Sequence, residues 1–275
     1  MSIITRATMN PSFLKAIFSW QSIFTLVMFG YMYLPIAVLG FYSFNDSAYS
    51  ATWQGFTLKW YQKLLSDGRL LSALQNSLVV ASIAVAISAV LGTMMAVGLA
   101  KYKFWGKGLY QGIAILPVVV PDIAMAVATL VFLAVVGLPL SLGTIIAAHV
   151  VFCLAYVAVV VSSRLVALDP HLEEAALDLG ATPLQAFTKV LLPELIPAII
   201  AGCLLSFVLS MDDFLISSFT AGAGNNTLPM EIFSRIRTGV KPDINALSVL
   251  LIIGSGLIAL IAESLRYQSN KRRFQ

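Results

Sequence analysis

Three carboxylates sit where a carboxylate is costly. Asp122 follows Pro121 in the middle of a long apolar run, and Asp212 and Asp213 are neighbours within another. Ionisable groups in such runs by default face a water-filled path or a partner, and a cation crossing that path would be stabilised by them. Each has a structural alternative. Asp122 can satisfy backbone groups freed by a kink at Pro117 and Pro121. Asp212 and Asp213, about 100° apart on a helix, cannot both point the same way, so one of the two turns toward a neighbouring helix or subunit. His149 and Tyr156 share a helix face, but a lone histidine in an apolar run is more often a hydrogen-bonded packing residue than a ligand. No His and Cys cluster has metal-site spacing, and neither H-E-x-x-H nor G-x-S-x-G occurs. No G-x-x-x-x-G-K-[ST] cradle for nucleotide phosphates is present. No catalytic, metal-binding or ATP-binding residue is expected on this chain.

The elements that must position these groups are membrane spans. The 275 residues are 59% hydrophobic and only 11% charged, against about 25% charged in an ordinary soluble domain. A span needs about 20 mostly apolar residues, and six segments qualify: Trp20–Phe44, Leu74–Ala100, Leu109–Val136, Leu142–Val166, Ile196–Thr220 and Ile244–Leu265. The first has a longer apolar stretch than a signal core and ends in Tyr42-Ser43-Phe44-Asn45 rather than a small-residue cleavage site, so it is expected to stay. The expectation is an all-α integral membrane protein of six transmembrane helices, one transmembrane domain over 1–275. Cys153 and Cys203 lie inside apolar runs and suggest packing rather than a disulfide framework.

Lys and Arg accumulate on one side of this arrangement. With both termini cytoplasmic, the inside holds Arg6, Lys15, Lys101, Lys103, Lys107, Arg164, Lys189, Arg266, Lys271, Arg272 and Arg273. The outside holds Lys59, Lys63, Arg69, Arg235, Arg237 and Lys241, a bias that favours this orientation. The net charge of +4 therefore reports topology and membrane lipid rather than nucleic acid. Counting about 1.5 Å per residue from the inner ends puts Asp122 and Asp212 roughly 20 Å deep, near the outer mouth. In the outer loops, Thr57 is expected to cap a short surface helix with Leu58, Tyr61, Leu64 and Leu65 on one face. Met230, Phe233 and Ile236 suggest a second such helix, and Pro242 is expected to open the last span.

One inner segment, 167–195, is long, polar and strongly punctuated. Asp169 can cap a helix with Pro170 at its first position and Gly180 at its end, with Leu172, Ala175, Ala176 and Leu179 on one apolar face and Glu173, Glu174 and Asp178 outside it. A second helix should start at once, with Thr182 as cap, Pro183 first and Gln185 completing a capping box, and should stop at Pro193. Glu174-Ala175-Ala176, then Gly180, then Val190 and Leu192-Pro193 resemble the EAA loop of ABC importer permeases, EAA-x3-G-x9-I-x-LP, with Val190 for the usual Ile. The resemblance implies a cytoplasmic coupling loop in which Glu173, Glu174, Ala175, Ala176, Gly180, Leu192 and Pro193 meet an ATP-hydrolysing subunit, so that ATP and Mg belong to that partner.

Nearly the whole chain, from about Leu34 to Leu250, looks like the spermidine/putrescine permease family, in the style of its second permease subunit. The residues that carry this are Asn45, Trp53-Gln54-Gly55-Phe56-Thr57-Leu58-Lys59-Trp60-Tyr61, Leu116-Pro117, Pro121-Asp122, Ser210-Met211-Asp212-Asp213-Phe214 and Pro242-Asp243-Ile244-Asn245-Ala246-Leu247. The resemblance implies polyamine import by a heterodimer with a second permease subunit, two ATP-binding subunits and an extracytoplasmic substrate-binding protein. Related permeases carry ferric iron, sulfate or thiamine, so those substrates stay open. A secondary transporter would show paired broken helices in inverted repeats; only one broken segment, around Pro117 and Pro121, is visible, and that class leaves the loop unexplained. A membrane enzyme is the third class, without a motif to support it.

Overall fold

The computed structural model describes residues 20–47, 52–237, 239 and 242–273, with side chains through Leu257. Arg6, Lys15 and Lys241 fall outside the described residues, as do the side chains of Arg266, Lys271, Arg272 and Arg273. All named elements are helical. The described chain divides into two compact units, one formed by its two ends up to Ser66 and from Arg235, the other by Asp67–Ser234.

In the unit of the chain ends, α1 (Trp20–Tyr42) is apolar on all sides and buries no side chain, as suits a helix surrounded by lipid or a partner. The segment after it folds around Asn45. The Asn45 side chain donates to Thr52 O at 2.7 Å and accepts from Gln54 N at 2.9 Å, while Trp60 Nε1 donates to Asn45 O at 2.8 Å. This cage seats α2 (Lys59–Leu65), whose buried residues are Trp60 and Leu64. The expected cap and face are corrected here. Thr57 Oγ1 accepts only from Lys59 N, Leu58 stands at the N-cap without a side-chain bond, and Leu58 and Leu65 are exposed. The final helix, α12 (Pro242–Arg273), begins at Pro242 as expected and packs on α1 and α2.

The larger unit is built on α3 (Gly68–Lys101), α6 (Leu142–Ala167) and α9 (Leu192–Asp212). The three pack against one another through small residues, the usual solution where apolar burial gives no net drive between helices in lipid. Ser88 Oγ donates to Val150 O at 3.3 Å, and one turn on a Cβ at Gly92 would lie 3.0 Å from Leu154 O, so α3 and α6 run parallel. Helix α9 runs antiparallel to α6. His149 meets Ser210, Cys153 meets Ser206, and Val157 meets Gly202, where a Cβ would lie 3.2 Å from Val157 Cα.

The expectation of six spans is overturned. Among the described residues four helices are long and apolar enough to cross a membrane: α1, α3, α6 and the run Pro183–Asp212. The expected third span is broken into α4 (Lys107–Val119) and α5 (Asp122–Val136), bent by 112°, and counts as a fifth only if the pair is one span. The break has a clear cause, since Pro121 lacks an N–H and Val120 and Pro121 take extended conformations with ψ of 134° and 138°. Among the described residues the expected last span is represented by the shorter apolar stretch Pro242–Leu257 of a helix that runs to Arg273. The expected fifth span also ends early, at Asp212, and is followed by the separate helix α10 (Leu215–Thr220). Helix α11 (Leu228–Arg237) forms where Met230, Phe233 and Ile236 suggested one; it buries Leu228 and Glu231 and leaves Phe233 and Ile236 exposed.

Candidate functional site

The break between α9 and α10 gathers three buried polar residues of the larger unit, His149, Ser210 and Ser217, around Asp213. Asp213 ends α9 by taking an extended conformation, φ −68° and ψ 120°. Its carboxylate then accepts from the first-turn amides of α10, Ile216 N at 3.1 Å and Ser217 N at 2.7 Å, as a carboxylate at a helix N-terminus favourably does. His149, fully buried on α6, reaches across. Its Nε2 lies 3.2 Å from Asp213 Oδ2 and 3.1 Å from Ser217 Oγ, and its Nδ1 lies 2.7 Å from Ser210 Oγ. A carboxylate accepts only, so Nε2 carries the hydrogen that faces Asp213.

Adjacent on the chain, Asp212 and Asp213 are treated differently. Asp213 is engaged with α10 and His149, whereas Asp212, the last residue of α9, is exposed. Asp122 is also exposed, in the first turn of α5 directly after the other break, where the helix dipole favours a negative charge. Both exposed carboxylates thus stand at interruptions of helices. The 13 residues of α4 measure about 20 Å and the 21 of α9 about 30 Å. A groove of about 670 Å³ in this unit is lined by Leu91, Met95, Tyr102, Phe104, Tyr110 and other apolar residues and holds none of the three carboxylates.

The loop between α6 and α9 is the second candidate region. Helix α7 (Leu172–Asp178) starts two residues later than expected, because Asp169 Oδ1 accepts from His171 N at 2.9 Å in a turn before the helix. Only Ala176 of its expected apolar face is buried; Ala175 is exposed and Leu179 is 90% exposed. Gly180 ends the helix at φ +85° with nothing within 4 Å of a Cβ position. Helix α8 (Pro183–Ala186) starts with the expected capping box, Gln185 N donating to Thr182 Oγ1 at 3.3 Å and Thr182 N to Gln185 Oε1 at 2.9 Å.

Pro193 does not stop this helix. A π-turn over Phe187–Leu191 joins α8 to α9, and Pro193 falls in the first turn of α9, where its missing N–H is tolerated. Ion pairs tie the loop to the spans. Lys101, the last residue of α3, pairs with Glu173, and Arg164 Nη2 of α6 meets Glu194 Oε2 at 2.9 Å. His171 Nδ1 lies 3.1 Å from Glu174 Oε2, and that hydrogen bond, with the Glu174 and Asp169 charges, raises the His171 pKa above its usual value.

The family described as "Binding-protein-dependent transport system inner membrane component" matches residues 88–275, which include α6, the punctuated loop and the helix break at Asp213. This chain belongs to that family. The permease is 43% identical over 263 residues to the putrescine transport system permease protein PotI of Escherichia coli K12, covering 93% of this chain and 94% of that one. It is 37% identical over 253 residues to the spermidine/putrescine transport system permease protein PotC of Haemophilus influenzae, covering 92% and 98%. Its fold resembles a chain of a bacterial ABC transporter involved in the import of the acidic polysaccharide alginate, with a TM-score of 0.72 at 16% identity over 94% of this chain and 99% of that one. The permease is therefore a multi-pass inner-membrane subunit of an ABC importer, and the motif reading of its loop identified the right class of machine.

Proposed function

We propose that this permease imports polyamines, as a heterodimer with a second permease subunit that is driven by two ATP-binding subunits and supplied by an extracytoplasmic binding protein. The observation that carries the substrate is the near full-length identity to permeases named for putrescine and spermidine. Asp122 and Asp212 support it independently, because exposed carboxylates at two helix breaks can offer a dication successive partners on a path completed by the second subunit. Asp213, already engaged by α10 and His149, has a structural part in this reading.

The loop 167–195 is the proposed cytoplasmic coupling element. Its exposed Ala175, Leu177, Leu179 and Leu184 form a small apolar surface beside Glu174 and Asp178, suited to an apolar cleft with a basic edge on the ATPase. Glu173 faces the other way, to Lys101, and Leu192 and Pro193 start the span that would receive the motion. The test is reconstitution of the complete importer in vesicles. Putrescine or spermidine uptake that requires both ATP and the binding protein is expected, uncompeted by ferric iron, sulfate or thiamine. Uptake driven by a proton or sodium gradient without ATP would overturn the reading.

A further inference from the structure

We infer that His149 is a positioning residue that clamps the break between α9 and α10 and so fixes where the Asp212 carboxylate stands in the transport path. The clamp concerns residues of this chain alone; its consequence for transport rests on the proposed substrate path. The imidazole is completely buried on α6, and each ring nitrogen is within hydrogen-bond distance of a different helix: Nδ1 of Ser210 Oγ in the last turn of α9, Nε2 of Asp213 Oδ2 and of Ser217 Oγ in α10. No other side chain of α6 bonds to both sides of the break among the described residues.

The geometry shows why a clamp is needed. After Asp212 the chain leaves the helix, and the six-residue α10 is too short to hold its place by its own hydrogen bonds. Asp213 caps it, and a carboxylate buried in an apolar unit needs hydrogen-bond partners for both oxygens; His149 Nε2 is the partner that comes from another span. Cys153 and Val157 continue the same face of α6 against Ser206 and Gly202 of α9, so the ring stands on a packed seam. Asp212 is adjacent to the clamped residue, and its position follows that of Asp213.

The experiment compares His149→Leu, His149→Gln and the double variant His149→Leu/Asp213→Asn in the complete reconstituted importer. Hydrogen–deuterium exchange of the Ile216 and Ser217 amides reads the clamp without any substrate; putrescine uptake and basal ATP hydrolysis read its consequence. His149→Leu is expected to speed exchange at these amides at least tenfold and to lower maximal uptake at least tenfold, with basal ATP hydrolysis kept. His149→Gln, whose amide can present a donor near the Nε2 position, should recover uptake to within about threefold of wild type. The double variant also takes one carboxylate oxygen from the Ile216 and Ser217 amides, so these amides should exchange at least as fast as in His149→Leu. Unchanged exchange in His149→Leu overturns the clamp. Faster exchange with normal uptake, or Gln no better than Leu, overturns the positioning role. Should His149→Leu fail to assemble, Ser210→Ala and Ser217→Ala, which each remove one partner of the ring, are judged by the same measurements and the same outcomes. A wild-type complex that takes up no putrescine removes the substrate reading, and the exchange data still decide the clamp.

Discussion

Lys101, the last residue of the longest helix, is ion-paired with Glu173 in the first turn of the loop helix α7, and its ammonium also lies 5.9 Å from the Phe187 ring in the π-turn. One side chain therefore links the end of α3 to two parts of the loop. Arg164 and Glu194 make a comparable link between α6 and α9. A loop pushed by a partner would pass that displacement to three packed spans through these contacts.

The first prediction follows from this link. Lys101→Glu and Glu173→Lys are each expected to lower binding-protein-stimulated ATP hydrolysis at least threefold, and the double reversal to restore most of it. Because the pair is partly exposed, its direct contribution to stability is at most about 1 kcal/mol, so the melting temperature of the complex should barely move. Equal defects in the single and double variants would show that the pair transmits nothing.

Gly180 supplies the second. A Cβ there meets nothing within 4 Å, so the cost of a substitution is conformational, set by φ +85°. Gly180→Val should cost about 1–3 kcal/mol locally and impair coupled uptake, whereas Gly180→Asn, which tolerates a left-handed backbone, should retain most of it. Uptake rates of the two variants at equal complex yield check this.

Helix packing gives the third. Gly92→Ala would place a methyl 3.0 Å from Leu154 O and from the Val157 side chain, an overpacking worth about 1–3 kcal/mol. Gly108→Ala, with open space around it, should be nearly neutral. Thermal unfolding of the purified complex in one detergent should rank them in that order.

The carboxylates give the fourth. Asp122→Asn and Asp212→Asn are expected to reduce putrescine uptake about tenfold with assembly preserved, because an amide keeps size but loses the charge. Asp213→Asn should instead lower the yield or melting temperature of the complex, since one amide oxygen cannot serve the donors that now meet two carboxylate oxygens. Normal uptake by both of the first two variants would remove the acidic path.

Acidity supplies the fifth. Glu174 raises the folded-state pKa of His171, so the protonated pair supports the loop fully below the ordinary histidine value of about 6.5 and that support is lost as pH rises through the raised value. The imidazole signal of His171 in labelled complex should titrate above the ordinary range and return toward it in Glu174→Gln. An unchanged titration in the variant would exclude the pair.

Local chemistry was readable where it was written in adjacent residues. The Thr182–Gln185 capping box and the left-handed Gly180 need only three or four positions of context, and both stand as the sequence implied. Hydropathy finds apolar length and Pro117 and Pro121 mark a break, but neither gives a 112° bend, so from the sequence the broken segment still counts as one full crossing. Pro193 misled in the opposite direction, because a π-turn absorbs what a regular helix would reject. By sequence alone His149 is a lone histidine in an apolar run. Its partners lie 61 and 68 residues away, and only the antiparallel register of α6 and α9 brings them together.

That register limits how the permease can move. Residues at four-residue intervals interlock along α6 and α9, and others do so along α3 and α6, so sliding one helix past the next has its detents a full turn apart, about 5.4 Å. Small sideways creep is resisted by backbone already in contact at Gly92 and Gly202. An alternating-access cycle would then leave this trio travelling as one piston, with the pivots at the two interruptions, Val120–Pro121 and Asp213–Phe214, each next to a carboxylate that this chain leaves uncovered.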